Sequence, residues 1–106
     1  STKLNEYFND AHLVITGEGK VDSQTVHGKT PLGVAQRAKL KNVPTIIIAG
    51  SIGKGFESLY EHGVVSVNSI INHPMNLEEA ILKAGELLVS TSEQVVRTFF
   101  YNEIKN

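Results

Sequence analysis

The chain has 106 residues, 41% of them hydrophobic and 20% charged, with ten basic against eleven acidic residues for a net charge of −1. That is ordinary for one globular domain, large enough to bury roughly two-thirds of its unfolded surface. It excludes a broad basic footprint for nucleic acid, an apolar run near the ~20 residues that cross a bilayer and, with no cysteine, any disulfide or thiolate metal site.

In chain order, Leu4, Tyr7 and Phe8 have helical spacing within Thr2–Phe8, about two turns that need packing to persist. Leu13–Thr16 reads as a buried strand, rich in branched side chains and ended by Gly17. A glycine-rich loop follows over Gly17–Thr30, then a helix over Pro31–Leu40 with Leu32, Val34, Ala35 and Ala38 as its apolar stripe. Lys39 and Lys41 favour the negative end of that helix dipole, and Asn42 and Pro44 stop it.

Thr45–Ala49 is a second strand, apolar at nearly every position, as suits a strand covered on both faces. A glycine-rich turn over Gly50–Gly55 leads into a helix over Phe56–His62, with Gly63 as its left-handed stop. Val64–Val67 is the third strand and Asn68–Met75 a loop. Asn76 and Glu79 read as a capping box for a helix carrying Leu77, Ile81, Ala84, Leu88, Val95 and Phe99. Run to Phe99 it is about 35 Å long, and Gly85 or the Ser90-Thr91-Ser92 cluster predicts a bend. The alternating order predicts parallel strands and a three-layer Rossmann- or flavodoxin-like half-domain.

The chemistry is concentrated in the first loop, where two carboxylates, two lysines and three glycines fall within fourteen residues. Gly28-Lys29-Thr30 ends like a Walker A loop, but that pattern requires glycine where Ser23 stands. Gly17-Glu18-Gly19 opens like a dinucleotide fingerprint whose third glycine falls on Asp22. What remains suits phosphoryl transfer, which needs a carboxylate for the hydroxyl proton, magnesium ligands and cations for phosphate oxygens. Asp22 and Glu18 can supply the first two, and Lys20 and Lys29 can hold a carboxylate or a phosphate. Gly17 and Gly19 permit close approach to their amides. Gln24 and Thr25 either orient a substrate hydroxyl or cap the loop's own backbone. Gly50 and Ser51 offer a second anion site at the next turn. Against these stands a solvated loop whose ion pairs are worth little. No stretch offers an evident apolar pocket for adenine, and no two of the histidines have metal-site spacing.

Val14–Gly19, Asp22–Thr25, Gly28-Lys29, Pro31 and Gly33-Val34-Ala35 stand together at spacings that resemble the ATP-dependent glycerate kinases of the bacterial type I family. The similarity continues through Pro44, Ile46–Gly50 and the segment ending at Phe56, and covers most of positions 11–98. Where the family commonly has an acidic residue before the strand, this chain has His12, a difference expected to be structural.

The resemblance implies that residues 1–106 are one partial α/β domain from the C-terminal part of a two-domain kinase several times longer. It implies ATP and Mg²⁺ as cofactors and D-glycerate as the small-molecule substrate, in a cytoplasmic enzyme without nucleic-acid or membrane partners. On the chemistry, Asp22 is base or metal ligand, Glu18 binds metal or hydroxyl, and Lys29 with Lys20 stabilises anions. The missing N-terminal part, or a second copy, is the expected partner, and the chain alone is expected to be inactive. The alternative is a non-catalytic α/β module that binds an anion or nucleotide.

Overall fold

The structure is a computed structural model that describes residues 12–28 and 30–104. The helix expected over Thr2–Phe8 and the loop residue Lys29 lie outside the described residues. The elements run β1 (Val14–Val21), a 3₁₀ helix (Ser23–His27), α1 (Thr30–Leu40), β2 (Thr45–Ile52), a second 3₁₀ helix (Phe56–His62), β3 (Val64–Ser69), α2 (Leu77–Leu82), α3 (Ala84–Phe99) and α4 (Tyr101–Ile104). The three strands form one parallel sheet in the order β1-β2-β3, as the alternating pattern predicts.

The strands are longer than their apolar runs. β1 continues five residues past Thr16, pairing Gly17 with Ile48, Glu18 with Ala49, Lys20 with Ser51 and Val21 with Ile52. Five of the fourteen residues of the expected loop are therefore strand, as are Gly50, Ser51 and Ile52 of the expected turn. Low strand propensity at glycine yields here to a backbone ladder against β2. β3 likewise runs to Ser69, and its register against β2 shifts between Thr45 and Ile46, leaving Val65 as the extra residue.

The core lies between the sheet and α1. Ile47 and Ala49 of β2, Val21, Val64, Leu32 and Ala35 of α1 and Leu59 of the second 3₁₀ helix are all buried there. α1 stops where expected: Asn42 takes a left-handed φ of 58°, Val43 donates to the Ala38 carbonyl at 2.8 Å and Asn42 to Lys39 at 3.0 Å. These two bonds satisfy carbonyls the helix would otherwise leave open. Gly63 is left-handed at φ 97°, but the segment it ends is a 3₁₀ helix.

The opposite face of β2 carries α2 and α3, with Ile46 across from Val95 and Phe99, and Ile48 across from Ala84 and Leu88. The bend in this helix falls at Lys83, ahead of Gly85, and Ser90-Thr91-Ser92 continues as regular helix. Its apolar stripe is mostly open: Leu77 is 75% and Ile81 65% exposed, while Leu87 is its one buried residue. His12 lies edge-on to Phe100 with ring centroids 6.3 Å apart, a packing role.

Candidate functional site

Parallel strands bring the C-terminal ends of β1 and β2 to the same sheet edge, where ligands of open α/β sheets gather. The two ends interlock through the backbone. Gly53 donates to the Val21 carbonyl at 2.7 Å and Ser23 to the Lys54 carbonyl at 3.0 Å. A Cβ at Gly50 would stand 2.8 Å from the Gly19 carbonyl oxygen, so only glycine fits there. Gly55 has φ 82°, and a Cβ on it would come within 2.6 Å of the Ser23 Cβ. The two glycine-rich segments thus meet at one edge, with strand rather than loop supplying much of both.

Asp22 follows the last residue of β1 and is the N-cap of the first 3₁₀ helix. Its Oδ1 accepts from the Gln24 amide at 2.8 Å, while its own amide donates to Thr25 Oγ1 at 3.0 Å. Thr25 thus caps the backbone, and its hydroxyl still has a proton to donate. The Lys20 ammonium is 3.9 Å from Asp22 Oδ2, an open pair with the lysine side chain 69% exposed. Contacts of this exposure add little stability but place a cation beside a carboxylate.

Pairing register sets Glu18 beside Ala49 and Lys20 beside Ser51, on one face of β1. Alternation leaves Gly17 and Gly19 on the other face. Glu18 is half-buried, whereas Gln24 and Ser51 are exposed at the rim. The structure thus gathers Lys20, Asp22, Gln24, Thr25, Gly50 and Ser51 at one edge, with Glu18 one strand step behind Lys20.

Among the described residues no group of three or more histidine, aspartate or glutamate side chains could hold a metal. Magnesium does not require one: it favours one or two carboxylates completed by water and phosphate oxygens. Asp22 Oδ2 and Glu18 fit that donor set, and Asp22 Oδ1 is already committed to the Gln24 amide.

Sequence reasoning missed an apolar cleft. An open cavity of about 430 Å³ lies against Gly17, Gly19 and Gly50, walled by Ile70, Ala84 and Leu88. A neighbouring one of about 240 Å³ adds Ser51, Ile71, Leu77, Ala80 and Ile81. Residues from β1, β2, the loop after β3, α2 and α3 meet there, so no single stretch of sequence could announce it.

The model of the "Glycerate kinase family" matches residues 1–100. A glycerate kinase from Halalkalibacterium halodurans is 43% identical over 103 residues, which are 97% of this chain and 27% of that protein. One from Bacillus subtilis is 50% identical over 86 residues, 81% of this chain and 22% of that protein. A crystal structure from Salmonella typhimurium LT2, provisionally described as glycerate kinase 2, matches with TM-score 0.65 and 44% identity over 95% of this chain and 25% of its own. The chain spans about a quarter of the length of these relatives. With a family model covering nearly the whole of it, the chain belongs to the glycerate kinase family.

Proposed function

We propose that this chain is the C-terminal part of a cytoplasmic, ATP-dependent glycerate kinase with a Rossmann- or flavodoxin-like domain, and that the β1–β2 edge forms one wall of its active site. The observation that carries the reading is the placement of Lys20, Asp22 and Ser51 at adjoining strand ends in a chain of this family.

The reaction transfers the γ-phosphoryl group of ATP to a hydroxyl of D-glycerate. The substrate oxygen attacks γ-phosphorus, the bond to the β-phosphate bridging oxygen breaks, and the hydroxyl proton goes to a carboxylate. Asp22 takes that proton through Oδ2, the oxygen that capping leaves free. Lys20, 3.9 Å from it, holds negative oxygen atoms of the phosphoryl group or the glycerate carboxylate. Lys29 shares that task, and the Gly17, Gly19 and Gly50 backbone lets substrate approach closely. Gln24 and Ser51, exposed at the rim, bind substrate polar groups. Asp22 and Glu18 would hold a magnesium ion, which would supply charge neutralisation to the transferring group. Asp22 cannot serve as base and as metal ligand with the same oxygen, so these are alternative roles.

The capping geometry also favours a second reading, a module that binds an anion or nucleotide without catalysis. In that case Asp22 and Thr25 only shape the turn.

A graft separates the two. The chain replaces the matching quarter of the Bacillus subtilis glycerate kinase, and ADP release is followed with glycerate, ATP and magnesium. Turnover dependent on Asp22 supports the kinase reading. A folded graft that binds nucleotide but is indifferent to Asp22→Asn supports the second.

A further inference from the structure

Three glycines stand at the end of β2 and in the turn after it, and the backbone requires two of them. A Cβ at Gly50 would strike the Gly19 carbonyl oxygen at 2.8 Å, and Gly55 has a φ of 82°. Neither reason explains Gly53. Its φ is not positive, and the nearest atom a Cβ there would meet is the Asp22 Cβ, 3.1 Å away, followed by the Lys20 Cε at 3.8 Å. Non-bonded carbon atoms settle at ~3.5–4.0 Å, so a side chain at 53 would press on Asp22.

The register accounts for this encounter. Val21 pairs with Ile52, and one further step sets Asp22 beside Gly53. The ladder continues that far: Gly53 donates to the Val21 carbonyl at 2.7 Å and Ser23 to the Lys54 carbonyl at 3.0 Å. Alternation then puts position 53 in the row of Lys20 and Asp22. Asp22 has no room to withdraw. Those two bonds hold the residues on either side of it, its amide donates to Thr25 Oγ1 at 3.0 Å, and its Oδ1 accepts from the Gln24 amide at 2.8 Å. The displacement would fall on the carboxylate, and on its 3.9 Å contact with the Lys20 ammonium.

We infer that Gly53 is a positioning residue for the reaction: the space left by its missing side chain is where the Asp22 carboxylate and the Lys20 ammonium lie side by side. Its effect on phosphoryl transfer passes through Asp22 and not through contact with substrate. The inference rests on the proposed function in taking Asp22 as the group that serves the substrate. It also divides the glycines by task, since Gly50 and Gly55 let the backbone close and Gly53 makes room for the charged pair.

The test places Gly53→Ala, Asp22→Asn and the two together in the Bacillus subtilis graft. Gly53→Ala should lower kcat at least ~10-fold, as misplacing a reacting group does, with KM for ATP and glycerate held within about threefold. Added to Asp22→Asn it should cost less than about twofold more, because its route to the reaction is already cut. Native kcat in Gly53→Ala overturns the inference. So does an equal loss in both backgrounds, which marks a damaged turn, or a rise in KM alone, which marks a contact with substrate. Amide exchange at Gln24 gives a reading that does not depend on activity. That N–H is bonded to the Asp22 carboxylate, so in Gly53→Ala it should exchange at least ~10-fold faster, and unchanged exchange overturns the inference. If the Gly53→Ala graft does not fold, Asp22→Gly, which removes the Cβ in its path, should restore folding, and failure to restore it is equally fatal. The two readings fail separately. Native kcat in Asp22→Asn sinks the proposed role of Asp22, whereas a loss in Asp22→Asn beside native kcat in Gly53→Ala sinks only the part given to Gly53.

Discussion

Two helix starts in this molecule use the same chemistry for different ends. At Asn76, the side chain accepts from the Glu79 amide at 2.8 Å, but Glu79 does not reach back. Its carboxylate turns outward to Lys83 at 3.1 Å and His73 at 3.4 Å. At Asp22 the box closes, with Thr25 returning the bond to the cap amide at 3.0 Å. Asn76 heads the six-residue α2, whose Leu77 and Ile81 are exposed, while Asp22 sits between two interlocked strand ends. Asparagine and aspartate cap helices about equally well. A charge at position 22 is therefore more than capping requires, and the proposed role of Asp22 in phosphoryl transfer is what would use it.

The largest expected effect removes one side of this comparison altogether. Alone, the chain should release no ADP above background with glycerate, ATP and magnesium, beside a full-length family member as control. A phosphoryl-transfer site must enclose both substrates and exclude water, and in the proposed function the β1–β2 edge with its open cleft is one wall. Turnover near that of the control would show that this chain holds the whole site.

Next, Asp22→Asn in the complete enzyme should lower kcat by at least the ~10²-fold that loss of a general base brings. The melting temperature should hold, because the new amide oxygen still accepts from Gln24. Undiminished kcat would reduce Asp22 to the structural part that Asn76 plays. Lys29→Met, at a position outside the described residues, should act mainly on KM if that lysine clamps a ground-state anion. A fall in kcat at unchanged KM would move Lys29 to the transition state.

Asn76 was legible because a periodic helix follows it. Asp22 was not legible as a cap because only a five-residue 3₁₀ helix follows. Its capping partner, Thr25, was open to either role. The extent of β1 was hidden for a related reason: Gly17–Lys20 carry no apolar signal, and their strand state depends on β2, distant in sequence. The parallel order, α1 with its Asn42 stop and the meeting of the two glycine-rich segments all follow from local pattern, and were readable. The cleft beside Gly17 and Gly19 needs five elements to exist and was not.

Asn76→Ala should cost about 1 kcal/mol through loss of its one capping bond, leaving kinetic constants of the complete enzyme in place. Thermal unfolding and initial rates together check this. A large kcat loss at unchanged melting temperature would place Asn76 in the site and dissolve the contrast with Asp22.

The smallest effect belongs to Glu79. Hydrogen bonds from Lys83 first, and then from His73, hold its pKa below the usual glutamate value. A carboxylate lowered by folding contributes stability that is fully present above its unfolded pKa. That contribution is lost as pH falls through the lower folded value. The side chain is 36% exposed at the surface, so salt screens the interaction and the effect on overall stability is slight. A carboxyl-carbon NMR titration resolves it where unfolding does not. Lys83→Met should raise the Glu79 midpoint toward the ordinary value, and added salt should do the same in the native chain. A midpoint unmoved by both would show that Lys83 does not hold this carboxylate in solution. The outward turn of Glu79, which separates the Asn76 cap from the closed box at Asp22, would then need another cause.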